Sequence, residues 1–224
     1  MSVLRRALNT LALFLAGMAA VLFLSAWSLR FIEAWIYLAL FGILSAAITV
    51  YLAIHDAALL ERRLKAGPGA EPETSQKIIQ LVTATMMLAM LIVAGFDHRF
   101  GWSVMPTAVV AAGDGIFALS FVAIFIVFRE NTFTSGVIEV ASGQSVVSTG
   151  PYAIVRHPLY AAGVIFLLAT ALALGSWWAL IPATIMGVAM IVRLLNEERF
   201  LARNLAGYSC YCARVRWRLV PGVW

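Results

Sequence analysis

This sequence has little charge and almost no cysteine. Of its 224 residues, 12% are charged and 62% are hydrophobic, and two are cysteines. A soluble domain carries about 25% charged and roughly 45–50% apolar residues, so the shortage of charge excludes an ordinary water-soluble globule. Cys210 and Cys212 stand one residue apart near the C-terminus. That excludes a disulfide framework, and no second Cys/His pair completes a zinc set. Acidic residues are scarcer than basic ones, 11 against 16. The basic residues lie in short flanks between apolar runs, not in a continuous patch, which argues against nucleic acid as a partner. Internal repeats and low-complexity tracts are also missing.

What the chain does have is apolar runs, at 7–29, 34–54, 78–96, 104–128, 159–174 and 177–195. A membrane span needs about 20 residues. The first run follows Arg5-Arg6 and is too long for a signal-peptide core of about 7–15 residues. The pattern predicts an all-α, polytopic membrane bundle of about six spans, with the lipid bilayer as its first partner. The fifth run is short, and Gly175-Ser176 alone separates it from the sixth, so these two form a tight helical hairpin. That hairpin either spans or is re-entrant.

Orientation follows from the basic residues. With the N-terminus inside, fourteen lysines and arginines fall on inner segments, and only Arg30 and Arg99 fall on outer turns. Trp27, Trp35, Trp102, Trp177 and Trp178 all sit at the outer ends, where amphipathic rings favour the interface. Both termini and the segment 129–158 are therefore expected on the cytosolic side.

The chain divides into a two-span hairpin (1–66), a Gly/Pro linker (67–76), the third and fourth spans (77–128), and a C-terminal segment of loop, helical hairpin and tail (129–224), all within one membrane domain. Inside the last segment, Val137-Ile138-Glu139-Val140 and Ser145-Val146-Val147 flank Ser142-Gly143-Gln144 and read as a short β-hairpin.

Two polar clusters mark a site. The first is Gly150-Pro-Tyr-Ala-Ile-Val-Arg156-His157-Pro158-Leu-Tyr160, at the mouth of the fifth run; Pro158 suits the first position of a helix. The second is Arg193-Leu-Leu-Asn-Glu197-Glu198, where the sixth run ends. Arg193 and Glu197 share a helix face, whereas Glu198 is turned from Arg193 by roughly 140° at 3.6 residues per turn. Each cluster also has a plain structural reading: Arg156 snorkelling to lipid phosphate, His157 capping a helix, and Arg193–Glu197 as a surface ion pair. Asp114, between Gly113 and Gly115, is the other charge within a span. It is read as a packing or vestibule residue.

Gly-Pro-Tyr-x3-Arg-His-Pro-x-Tyr, a short hairpin, Arg-x3-Glu-Glu and Gly207-Tyr208-x2-Tyr211, in that order, resemble the isoprenylcysteine carboxyl methyltransferase family. That family belongs to a group of membrane methyltransferases that includes the phospholipid methyltransferases. The resemblance covers roughly residues 129–224. It implies methyl transfer from S-adenosyl-L-methionine, on the cytosolic face, to a lipophilic or small acceptor: a carboxylate, as in prenylcysteine, or a related lipid, thiol or amine. By the same resemblance the cofactor is held by Gln144, Ser145, Val146, Val147, Tyr152, His157, Pro158, Leu159, Tyr160 and Glu197. Glu139 falls near a polar cofactor contact. Arg193 faces the acceptor, and Arg193, Glu197 and Glu198 form the catalytic set. Two other readings stand beside this one: a sterol-reductase-like enzyme using a nicotinamide cofactor, and a non-catalytic membrane module. The sequence carries no signal for oligomeric state.

Overall fold

The computed structural model describes residues 2–65, 67, 69–71 and 73–224. The expected domain boundary at residue 66, and Pro68 and Pro72 of the linker, lie outside the described residues. Among the described residues the chain forms eight α-helices and no strand: α1 (Val3–Ala26), α2 (Ile32–His55), α3 (Ala57–Leu64), α4 (Thr74–Phe100), α5 (Thr107–Glu130), α6 (Pro158–Ala173), α7 (Leu180–Asn204) and α8 (Tyr208–Arg214). A 3-10 turn, Gly150–Ala153, precedes α6.

Local chemistry sets the helix ends. Ser2 caps α1 by accepting from the Arg5 N–H, the usual role of a hydroxyl at that position. Asp56 ends α2 and begins α3, its Oδ1 accepting the Leu59 N–H at 2.8 Å. Gly101, at φ 64°, closes α4 in the left-handed conformation. Pro158 occupies the first position of α6, as the sequence implied.

Five helices, α1, α2, α4, α5 and α7, are long and apolar enough to cross a membrane. The fifth expected span is shorter. With 16 residues, α6 reaches about 24 Å at 1.5 Å per residue, less than the ~30 Å hydrocarbon core. The turn after it is tucked into the bundle end and held by Asp97, a buried acid that hydropathy did not single out. Asp97 accepts from the Ser103 N–H and hydroxyl, each at 2.6 Å, and from the Ser176 hydroxyl at 2.5 Å.

The helices pack in a closed ring in the order α1, α4, α7, α6, α5, α2 and back to α1, with α3 against α1 and α2. Leu22, Tyr37, Met90, Phe117, Leu174 and Met186 fill the interior. The Phe117 ring lies 5.0 Å from both Tyr37 and Phe166, in tilted geometry that suits aromatic quadrupoles. The outer surface presents leucines, isoleucines and valines to the surroundings, which suits lipid and would be a liability in water. Of the two glycines flanking Asp114, Gly113 meets the α6 backbone: a Cβ there would stand 2.7 Å from the Ala173 nitrogen. Gly115 has no neighbour within 4 Å. Asp114 itself is half-buried.

The expected β-hairpin does not form. In 137–147 three backbone donors turn to side chains, Val137 N–H to Ser135 Oγ at 3.3 Å, Ile138 N–H to Glu71 Oε2 at 3.4 Å and Ala141 N–H to Gln144 Oε1 at 2.9 Å, and Gln144 N–H turns back to the Ala141 carbonyl at 3.1 Å. Each arm alternates over three or four residues only. Those side-chain acceptors satisfy the N–H groups that a strand ladder would otherwise use.

Candidate active site

The loop between α5 and α6, the start of α6 and the end of α7 enclose a cavity of about 440 Å³ at one end of the bundle. That volume suits a small organic ligand or cofactor. Its lining brings together most of the residues selected from sequence: Gln144, Ser145, Val146, Val147, Tyr152, His157, Leu159, Tyr160, Arg193 and Glu197, with Glu139 beside them. Two stay outside it. Pro158 is buried as the first residue of α6, and Glu198 does not line the cavity.

The 3-10 turn that carries Tyr152 starts at Gly150, with φ 55°; a Cβ there would stand 2.8 Å from Glu130 Cδ. Glycine is therefore the residue this approach and this backbone require. The Tyr152 hydroxyl accepts from Asn131 Nδ2 at 2.9 Å, and its carbonyl accepts from the Tyr211 hydroxyl at 2.8 Å. Burial pushes the Tyr152 phenol up to about 12. Burial also raises Tyr208 and Tyr211 well above the ordinary phenol value. All three remain neutral hydrogen-bonding groups at physiological pH.

His157 does not cap α6 with its side chain. Its Nε2 stands 3.3 Å from Glu198 Oε1 and 3.5 Å from the Tyr208 hydroxyl. Arg156 does not snorkel. Its Nη1 donates to Glu198 Oε1 at 2.9 Å, its Nε to the Val215 carbonyl at 2.8 Å and its Nη2 to the Arg216 carbonyl at 2.9 Å. Arg218 Nε completes the cluster, donating to Glu198 Oε2 at 2.8 Å. Glu198 thus clamps the C-terminal tail against the turn before α6. The backbone reinforces the clamp, since Arg156 and His157 N–H groups donate to the Trp217 and Arg218 carbonyls at 2.9 and 3.0 Å.

The plain structural reading of an Arg193–Glu197 ion pair does not hold: the two side chains make separate contacts. Glu197 Oε2 accepts from the Tyr160 hydroxyl at 2.6 Å. Arg193 pairs with Glu71 at 2.5 Å and also donates to Gln76 Oε1 at 3.2 Å and the Gly136 carbonyl at 3.0 Å. Glu71 is fully buried, and Gln80 donates to it at 3.0 Å. Sequence reasoning missed Glu71, Gln76 and Gln80 because they lie over a hundred positions before Arg193, the first two in a segment read as a linker and Gln80 within the third apolar run. A buried acid needs a partner, but a Gly/Pro-rich stretch gives no sign that its acid is buried. Arg63, at the end of α3, was missed as well, having been counted only as a topological charge. It lines the cavity and donates to the Ser135 carbonyl at 2.8 Å, and burial pulls its guanidinium below the ordinary arginine value.

Residues 107–207 match the family model of phospholipid methyltransferases. The match covers 101 of the 224 residues, and over that segment the chain is similar to this family of membrane methyltransferases. The matched family lies in the same group of membrane methyltransferases as the isoprenylcysteine carboxyl methyltransferases that the motifs resemble. The matched segment runs from α5 through the cavity loop, α6 and α7 to Gly207. Arg63 and Gln80 line its cavity from the preceding part of the chain, and Tyr208 and Tyr211 from the tail. No curated protein shows significant sequence similarity to the chain.

Proposed function

We propose that the protein transfers a methyl group from S-adenosyl-L-methionine to a lipophilic acceptor, on the cytosolic face of the membrane. The observation that carries this reading is Glu197. Its carboxylate sits at the cavity wall with the Tyr160 phenol as its hydrogen-bond donor among the described residues, leaving acceptor capacity directed at a ligand. The methyl donor supplies a methyl group made electrophilic by a sulfonium, together with an ammonium, a diol and a carboxylate. Glu197 accepts from the ammonium or the diol. His157 and the backbone of Gln144–Val147 face the same volume and meet its remaining polar groups.

The chain's own work is alignment and exclusion of water. The tail, locked by Glu198, closes the cavity from one side through Tyr208 and Tyr211, both buried. On the bundle side the lining reaches into the helices at Thr83, Ile124, Gly163 and Met190, giving an apolar chain a place to lie. Arg193, one turn before Glu197 and fixed by Glu71, orients the acceptor against the methyl donor.

Calorimetric titration of the detergent-solubilised protein tests this. Glu197→Gln and His157→Ala are each expected to weaken the methyl donor about 10- to 150-fold, the effect of losing a hydrogen bond to a charged group. Unchanged affinity in both variants rejects the cofactor site. Binding of a reduced nicotinamide cofactor in place of the methyl donor rejects the reaction class.

A further inference from the structure

Arg63 differs from the other cations of this cavity. Arg193 shares its charge with Glu71, and Arg156 with Glu198. No carboxylate lies within ion-pair distance of Arg63 among the described residues. The guanidinium donates to one carbonyl, that of Ser135 at 2.8 Å, and its central carbon lies 5.1 Å from the centre of the Phe128 ring. A guanidinium has five N–H donors, and a charge withdrawn from water without an anionic partner is costly. The ring face offsets part of that cost. The side chain lines the cavity, so an anion entering it is within the guanidinium's reach and completes the arrangement.

The surroundings indicate which anion. Arg63 lies over Phe128, which packs with Ala7, Leu52, Leu59, Leu60 and Leu159 on the side of α1 to α3. The loop assigned to the methyl donor packs instead on Leu205, Tyr208 and Tyr211. Beside Arg63 the lining is Ile124, Phe128 and Leu159, with Met190 on α7. We propose that Arg63 recognises the acceptor, binding the phosphate or carboxylate of an amphiphile whose apolar chain lies against Ile124, Phe128 and Met190. This rests on the methyl-transfer reading for the word acceptor, but the anion site itself is independent of it. Arg193 cannot serve equally, because Glu71 already occupies its fork.

The test uses the full chain in an uncharged detergent. Binding of a twelve-carbon lysophosphatidate, the monoacylglycerol of the same chain, laurate, inorganic phosphate and the methyl donor is measured by calorimetry. The parent is expected to bind the lysophosphatidate or laurate at least about tenfold tighter than the neutral glyceride. Arg63→Gln should remove that preference and leave methyl-donor affinity within about twofold. Equal affinity of the parent for charged and neutral amphiphiles overturns the proposal, and this comparison needs no variant to fold. Inorganic phosphate binding as tightly as the lysophosphatidate overturns it in favour of a free-anion site. An Arg63→Gln protein that loses methyl-donor affinity instead assigns the arginine to the cofactor and overturns it too. If the parent prefers the anionic amphiphile but binds no methyl donor, the methyl-transfer reading falls and the Arg63 site stands.

Discussion

Glu198→Gln should release the C-terminal tail while leaving the helical ring intact. The carboxylate receives Arg156 at 2.9 Å, Arg218 at 2.8 Å and His157 at 3.3 Å, and is itself only 11% exposed. A glutamine of the same shape offers one oxygen in place of two and turns an N–H₂ group toward cationic donors. A hydrogen bond to a charged group contributes about 1.5–3 kcal/mol, and breaking a buried pair costs roughly 3–5 kcal/mol. Arg218 is 30% exposed, so its share is reduced by solvent screening. The expected penalty on tail docking is about 2–4 kcal/mol, or roughly 30- to 800-fold in the opening equilibrium. The reporters are the backbone N–H groups of Arg156 and His157, which donate to the Trp217 and Arg218 carbonyls. Their hydrogen exchange should accelerate by that factor, while exchange in the middle of α4 and α5 stays at the parental rate. Methyl-donor affinity should fall as well, because His157 loses its anchor. Parental exchange at both reporters would refute the clamp and return Glu198 to consideration as a group acting on the ligand.

Four other outcomes are expected. Arg193→Lys keeps the charge but loses the planar fork, so turnover should fall far more than methyl-donor affinity in steady-state and binding measurements. Glu71→Gln should reproduce that split, whereas a merely structural Glu71 would alter thermal stability alone. In a background with Cys210 and Cys212 replaced by serine, an impermeant thiol reagent applied from outside should label Trp102→Cys and not Ser142→Cys, both at exposed positions; the reverse pattern inverts the membrane orientation. Finally, the Tyr152 phenol is raised to about 12 by burial, against an unfolded value near 10. Between these values the unfolded chain loses the proton first, so stability should fall as pH rises from about 10 to 12, and Tyr152→Phe should flatten that fall by up to about 1.4 kcal/mol per pH unit in thermal unfolding.

The apolar runs determined the membrane class and most helix positions, because a chain in lipid must satisfy every backbone group internally and has few ways to do so. The proline at 158 determined where α6 begins, and the local motifs identified Tyr152, His157, Tyr160 and Glu197 as neighbours of one cavity, since each sits on a helix end whose height in the bundle follows from span length. Tertiary structure decided which charges meet. Arg193 is four residues from Glu197, yet it pairs with Glu71, because the ring places α4 beside α7 and brings the end of the preceding segment against that face. Arg63 and Arg218 were indistinguishable in sequence from topological charges; one lines the cavity wall, half-buried, and the other closes the clamp on Glu198. The 137–147 segment alternates like a hairpin, but its N–H groups find Glu71, Ser135 and Gln144, two of them local and one brought from outside the segment. Hydropathy is a property of consecutive residues and survives without a fold. Ion pairing between distant segments depends on which helices become neighbours, and only the packed ring fixes that.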